Sequence, residues 1–306
     1  MAKIRVGVAG CGVMGSLHIK VASELKEYSL VGIFDAEQSR AQEIAAKYKA
    51  PISPSLDALF ASAEALIVAT PTSTHLDIAK AALQKGLHLL VEKPLTLDSS
   101  SADLIATIAA QKKRIVAVGM IEQFNPAFTK AYGIVKKEKI LLVDIKRFSP
   151  YPSRISDASV VWDMMIHDID LACVLNKTGV ATIKCSGKKV QSDKLDEASA
   201  TLYFKDGMVA KIYGSRAKND KYRFMQITTD HAIYDVDLLT KTLYKREFET
   251  LVNKTEIETH PADQITLEQK DFYSSIANNR KPKCPATQAV PVMKVAEEVE
   301  AKCLSQ

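Results

Sequence analysis

Apolar and polar positions change period along this chain, and the changes mark its elements. Through the first ~120 residues, short aliphatic runs alternate with stretches where apolar residues recur every three to four positions. The first kind reads as buried strand, the second as amphipathic helix. Strands are predicted over Ile4–Val8, Leu30–Phe34, Ala65–Ala69, His88–Val91 and Ile115–Val118. A short segment at Pro51–Ile52 joins the series, making Ala65–Ala69 the fourth strand and Ile115–Val118 the sixth. Helices are predicted over Met14–Leu25, Glu37–Lys47, Leu56–Phe60, Thr74–Gln84 and Ser99–Gln111. Strand and helix in strict alternation, joined by short connections, predict a doubly wound parallel sheet covered on both faces.

After Gly119 the pattern shifts to period two. Strand alternation appears at Leu141–Phe148, Ala181–Lys188, Ala198–Phe204, Met208–Ser215 and Arg223–Thr229, with Asp206-Gly207 as a hairpin turn. Helices are predicted at Phe124–Val135, Trp162–Leu175, Leu267–Ala277 and Ala289–Cys303. The expected architecture is α/β: a Rossmann domain over 1–121, then an α+β domain over 122–306 with a large, mostly antiparallel open sheet.

Bulk properties narrow the function. The 306 residues suffice for two domains at the usual ~100–200 residues each. The net charge of +5 is spread over scattered lysines, without a basic stripe, so no nucleic-acid partner is expected. Five cysteines without a Cys-x-x-Cys spacing argue against a disulfide framework or a metal site. No apolar run approaches the ~20 residues that span a bilayer, and no signal peptide is evident, so a cytoplasmic protein without a membrane partner is expected.

Candidate chemistry gathers where strands end. Gly10-Cys11-Gly12-Val13-Met14-Gly15 follows the first strand and opens a helix. That placement suits a pyrophosphate: one glycine makes the turn, one admits the phosphate, one lets helix and strand pack. Cys11 reads as a small filler. Asp35 ends the second strand, where a carboxylate would bind the adenosine ribose and repel a 2′-phosphate, favouring NAD over NADP. Its alternative is the N-cap of the next helix, and Arg40 nearby keeps NADP open. Thr70, Pro71, Thr72, Ser73, Thr74 and His75 follow the fourth strand, either lining a nicotinamide ribose or starting a helix.

Glu92-Lys93-Pro94 ends another strand. Lys93, restricted by the following proline, would lie near an oxidised nicotinamide whose charge lowers the lysine pKa; a solvated strand-end lysine is the alternative. Asp163 and His167, four apart on a predicted helix with Asp170 beyond, suit a general base tuned by a carboxylate. The same spacing also suits a surface ion pair.

These motifs together resemble the glucose–fructose oxidoreductase / inositol dehydrogenase / MocA (Gfo/Idh/MocA) family over essentially the whole chain. The resemblance implies an NAD(P)-dependent dehydrogenase with Lys93, Asp163 and His167 as the catalytic group, and homo-oligomers (dimer or tetramer) formed through the C-terminal sheet. Residues Val118–Pro126, Ser149–Ile155 and Ile166–Asp170 resemble, more narrowly, the UDP-N-acetylglucosamine 3-dehydrogenase branch. That branch typically carries His and Arg where this chain has Met120 and Gln123. Glu122, Phe124 and Asn125 then become substrate-binding candidates, with Arg147, Tyr151 and Arg154 as contacts for a nucleotide-sugar diphosphate. The expected substrate is a sugar or nucleotide-sugar, oxidised at a secondary hydroxyl. A free sugar, polyol or inositol dehydrogenase and a non-catalytic NAD(P)-binding regulator are the alternatives. The enzymatic reading requires Lys93 and His167 to serve one pocket.

Overall fold

A computed structural model describes residues 3–151, 158–250, 253–260 and 262–305. The chain groups into two compact units. One runs to Ile121 and takes up Asp263–Pro291; the other comprises Glu122–Ala262 and the chain from Val292 onward.

The first unit is built on five parallel strands: β1 (Ile4–Ala9), β2 (Tyr28–Phe34), β3 (Ala65–Val68), β4 (His88–Val91) and β5 (Val116–Val118), in the order β2-β1-β3-β4-β5. The helices are α1 (Val13–Glu24), α2 (Gln38–Tyr48), α3 (Leu56–Ser62), α4 (His75–Gln84) and α5 (Ser99–Lys112). All four residues of β3 are buried, as are the last three of β4, which is why their sequences read as continuous apolar runs. Side-chain caps set two helix starts: Ser55 accepts the Ala58 amide for α3, and Asp98 accepts the Ser101 amide for α5.

The sheet has five strands rather than six. Pro51–Ile52 makes only an isolated bridge to Ile33, through Ile33 N–H to Pro51 O and Ser53 N–H to Ile33 O, both 2.8 Å. Pro51 and Pro54 bracket this stretch and lack the N–H groups that would extend the ladder. A second feature escapes the local pattern: α8 (Gln264–Ala277) returns to this unit. It buries Phe272 in the core, and the Tyr28 hydroxyl donates to the Gln269 carbonyl at 2.8 Å.

The second unit carries an eight-stranded sheet: β6 (Ile140–Phe148), β7 (Val180–Lys188), β8 (Glu197–Phe204), β9 (Val209–Ser215), β10 (Tyr222–Thr229), β11 (Ala232–Asp237), β12 (Thr242–Glu247) and β13 (Thr255–Ile257). The order is β13-β12-β11-β10-β6-β9-β8-β7, antiparallel except for the parallel pair β6–β9. The fold class expected from the pattern is the one observed. Strands β11 to β13 were not foreseen, because their alternation is diluted by charged residues such as Asp235, Lys245 and Glu256.

Two helices of this unit differ from expectation. Residues 121–124 form a 3₁₀ turn, and α6 (Pro126–Val135) begins only after it, with Asn125 as N-cap accepting the Ala127 amide. Proline at the first helical position sets that start. The predicted helix from Trp162 opens as a π-helical turn, Val161–Met165, before α7 (Ile166–Leu175). The last helix, α9 (Ala286–Leu304), contains Pro291, where the two units divide. Among the described residues no helix is long and apolar enough to cross a membrane.

Candidate active site

The glycine turn separates two glycines that the fold requires from one it leaves open. Gly10 has φ +96°, and a Cβ there would lie 2.4 Å from the Ala69 carbonyl oxygen. A Cβ on Gly15 would lie 2.0 Å from the Gly10 oxygen. Gly12 is different: a Cβ added there meets no atom within 4 Å. Gly12 is also the N-cap of α1, so no side chain caps the helix and its first turn holds no acidic residue. A side chain at Gly12 would thus stand in open space beside a helix start that no side chain caps. Such a helix start attracts an anionic group through its free N–H groups and dipole. These residues fit a dinucleotide pyrophosphate.

Asp35 braces this turn. Its Oδ2 accepts the Cys11 N–H at 2.7 Å and its Oδ1 the Glu37 N–H at 2.9 Å, while Arg40 lies 3.6 Å away. The N-cap of α2 is Glu37, not Asp35. Asp35 thus joins the end of β2 to the glycine turn. Cys11 is a buried filler, its thiol pushed up to about 11 by burial and by the Asp35 charge.

At the ends of β3 and β4, His75 is turned inward rather than lying on the surface or capping a helix. Its ring nitrogens lie 2.9 Å from the Thr70 oxygen and 3.0 Å from the Pro94 oxygen, tying together the two strand-end loops. Burial holds its pKa below the ordinary value. Between the loops, Thr74 Oγ1 donates to the Pro71 oxygen (2.8 Å) and lies 2.7 Å from Thr70 Oγ1, and Thr72 starts the short 3₁₀ turn that leads into α4.

Glu92 also faces inward: Oε1 lies 2.9 Å from His18 Nε2, and Oε2 accepts the Lys93 N–H at 3.1 Å. Burial opposes its charge, but the interactions with His18, and after them the positive charge of Lys93, outweigh it, so Glu92 titrates below the usual carboxylate range. Lys93 itself is half-buried at the strand end. His18 and Gln269 are the residues missed by sequence reasoning. A histidine among the apolar positions of α1 was the only available signal for His18.

The second unit presents a different cluster. Arg147 on β6 gives Nε and Nη2 to Asp168 (2.7–2.9 Å) and Nη1 to Glu122 (2.9 Å). All three side chains are at most 3% exposed. Burial disfavours the guanidinium charge, but Asp168 and Glu122 outweigh burial and hold the Arg147 pKa above its ordinary value. The Arg147 donors are thus committed to carboxylates. Asn125, also buried, donates to Glu122 (3.2 Å) and to the Leu238 carbonyl (2.8 Å), and Phe124 is buried beside it in sequence.

Asp170 accepts from Gln123 Nε2 with its two oxygens, at 3.0 and 2.8 Å. Asp163 and His167 are half-buried. The π turn lies between them, so they are not related by one regular α-helical face; π turns are frequent at functional sites. A Cβ on Gly214 would come within 2.5 Å of Met165, so β9 runs close beneath that turn. The Tyr151 ring lies 5.3 Å from the Arg216 guanidinium, and Arg154 lies outside the described residues.

A parallel sheet whose first helix opens uncapped behind a glycine, with a carboxylate at the end of β2, defines a dinucleotide-binding protein of the Rossmann class. The comparisons make this specific. A family model described as "Oxidoreductase family, NAD-binding Rossmann fold" matches residues 4–120, and a GFO/IDH/MocA C-terminal domain model matches residues 143–235. The UDP-N-acetylglucosamine 3-dehydrogenase of Acidithiobacillus ferrooxidans is 32% identical over 98% of this chain and 97% of its own. Its solved structure superposes with a TM-score of 0.93 at 31% identity, covering 98% of each chain. An inositol 2-dehydrogenase of Rhizobium meliloti is 27% identical over 70% of this chain and 69% of its own. In fold alone, GenD2 from gentamicin A biosynthesis, solved in complex with NAD, matches with a TM-score of 0.87 at 19% identity, over 100% of this chain and 95% of that one. The chain belongs to the Gfo/Idh/MocA oxidoreductase family, and it is an NAD(P)-dependent enzyme.

Proposed function

We propose that this enzyme oxidises a secondary hydroxyl of a sugar, with C3 of a UDP-N-acetylhexosamine as the favoured position and NAD as the favoured cofactor. The observation that carries the substrate reading is full-length similarity to a UDP-N-acetylglucosamine 3-dehydrogenase, where the inositol dehydrogenase match covers about two thirds of the chain. Asp35, braced at the glycine turn, supports NAD, since its charge would repel a 2′-phosphate. When bound, the nicotinamide supplies the hydride acceptor. Lys93 and His167, with Asp163 tuning the imidazole, handle the hydroxyl proton. As Lys93 takes that proton it becomes cationic, and its charge stabilises the developing alkoxide. A row of ring contacts over Tyr213, Phe148, Tyr222 and Phe224, at 5.2–5.9 Å, supports the sheet of the second unit as the oligomer contact; Tyr222→Asp should lower the native mass.

The test is nicotinamide reduction with NAD and a panel of UDP-N-acetylglucosamine, UDP-N-acetylgalactosamine, free N-acetylglucosamine and myo-inositol. Turnover is expected with a UDP-sugar, and Lys93→Met and His167→Ala should each abolish it while NAD still binds. Turnover with inositol alone would overturn the substrate reading, and loss of NAD binding in Lys93→Met would make that lysine structural.

A further inference from the structure

His18, Gln269 and Glu268 are buried in the N-terminal unit, and no step proposed above uses them. They come from α1 and α8 and meet at the strand end that carries Glu92 and Lys93. Gln269 Nε2 donates to the His18 main-chain oxygen at 3.0 Å and lies 3.1 Å from His18 Nδ1. The carbonyl decides which end of the amide points there, because an amide oxygen in that place would face another oxygen. The NH₂ group therefore also faces the ring, and Nδ1 is an acceptor. A neutral imidazole has one acceptor and one donor, so the proton resides on Nε2 and is donated to Glu92 Oε1 at 2.9 Å. The other Glu92 oxygen accepts the Lys93 N–H. The hydrogen bonds thus run from Gln269 through His18 to Glu92, and the carboxylate receives a second donor from the backbone of Lys93.

Glu268 completes the electrostatics. Neither carboxyl oxygen has a hydrogen-bond partner among the described residues. A buried carboxylate without donors is strongly disfavoured, so Glu268 is a neutral acid. Burial and then the negative charge of Glu92 both push in that direction. Two neighbouring carboxyl groups are thereby split, one ionised and one neutral.

We propose that Gln269 and His18 are positioning residues for the proton-handling lysine: they hold the His18 ring in its Nε2–H form, orient Glu92 as the one charged carboxylate at that strand end, and through it place Lys93. The inference rests on the role given to Lys93 above and assigns that role two supports distant in sequence.

Two measurements test it. Nitrogen-15 spectra of the histidine rings in the wild-type protein, assigned by the signal lost in His18→Gln, should show a neutral ring protonated on Nε2 near neutral pH. A charged ring, or a proton on Nδ1, overturns the proposal. In steady-state kinetics His18→Leu removes the donor to Glu92. It should lower kcat about tenfold or more, with sugar KM and NAD Kd changed by less than about twofold. His18→Gln, whose amide can still donate, should recover most of that loss. Unchanged kcat in His18→Leu overturns the proposal, and so does a loss that His18→Gln leaves unrepaired, which would mark a packing role. If His18→Leu does not fold, Gln269→Met serves instead; it frees the ring tautomer and should lower kcat severalfold, and wild-type kcat there counts against the proposal. A wild-type enzyme that reduces no NAD with any sugar refutes the reading of function, and the ring's protonation state then decides this inference alone.

Discussion

The three glycines of the first turn should separate cleanly into two that hold the fold and one that admits the cofactor. Gly12 has φ −67° and ψ −163°, a conformation open to L-residues, and faces empty space. Gly12→Ala should therefore leave unfolding free energy within about 0.5 kcal/mol of wild type, or raise it by about 0.4–1 kcal/mol through the unfolded state. Its methyl group would occupy the approach of the pyrophosphate. Displacing one amide–phosphate hydrogen bond costs about 1.5–3 kcal/mol, a rise in NAD Kd of about 10- to 150-fold.

Gly10→Ala should behave in the opposite way. The positive φ costs about 1–2 kcal/mol for an alanine, and the overlap at 2.4 Å with the Ala69 backbone adds to it. A loss of about 2 kcal/mol lowers Tm by roughly 4–8 °C. Gly15→Ala, at 2.0 Å from a backbone oxygen, should cost more still. The assay is paired: Tm by calorimetry without cofactor and NAD Kd by titration on the same samples. Wild-type NAD affinity in Gly12→Ala, or a Tm loss there equal to that of Gly10→Ala, would refute the reasoning.

Two further perturbations reach other parts of the molecule. Arg147→Met removes the buried cation paired with Asp168 and Glu122, while the half-exposed Arg223 stays 3.3 Å from Glu122. Removing one partner of such a network should cost about 3–5 kcal/mol, read by urea unfolding; a loss below ~1 kcal/mol would show that the cluster does not hold the second unit together. His88 accepts the Ile115 N–H on Nδ1 at 3.0 Å, and burial, then Arg114, lower its pKa from 6.5 to about 4. The unfolded chain binds the extra proton between those values, so His88 contributes stability at neutral pH that is lost as pH falls from 6.5 towards 4. His88→Gln should flatten the dependence of Tm on pH in that window, and an unchanged slope would rule this out.

Much of the first unit was legible because its signals are local. Each strand reports its own burial on both faces, and Ser55 and Asp98 mark helix starts by capping amides three residues on. The glycine turn could be recognised as a motif, but the difference between Gly10 and Gly12 required the neighbouring Ala69 backbone. Strand β13 and the π turn before α7 were invisible for a related reason. A three-residue strand is defined by its partner β12, and a π turn by backbone geometry that residue spacing does not encode.

The sequence by itself determined the alternation of strand and helix, the uncapped helix start behind the glycines, and the placement of Asp35 and Lys93 at strand ends. Each follows from period, backbone freedom or charge within a few residues. Only the tertiary structure decided that Asp263–Pro291 returns to the N-terminal unit, that Arg147 is spent on two carboxylates, and that Gln269 fixes the ring of His18. The physical reason is that a proton's position and a buried charge are set by whichever groups lie within hydrogen-bond reach. In this protein those groups lie as far as 251 residues away along the chain.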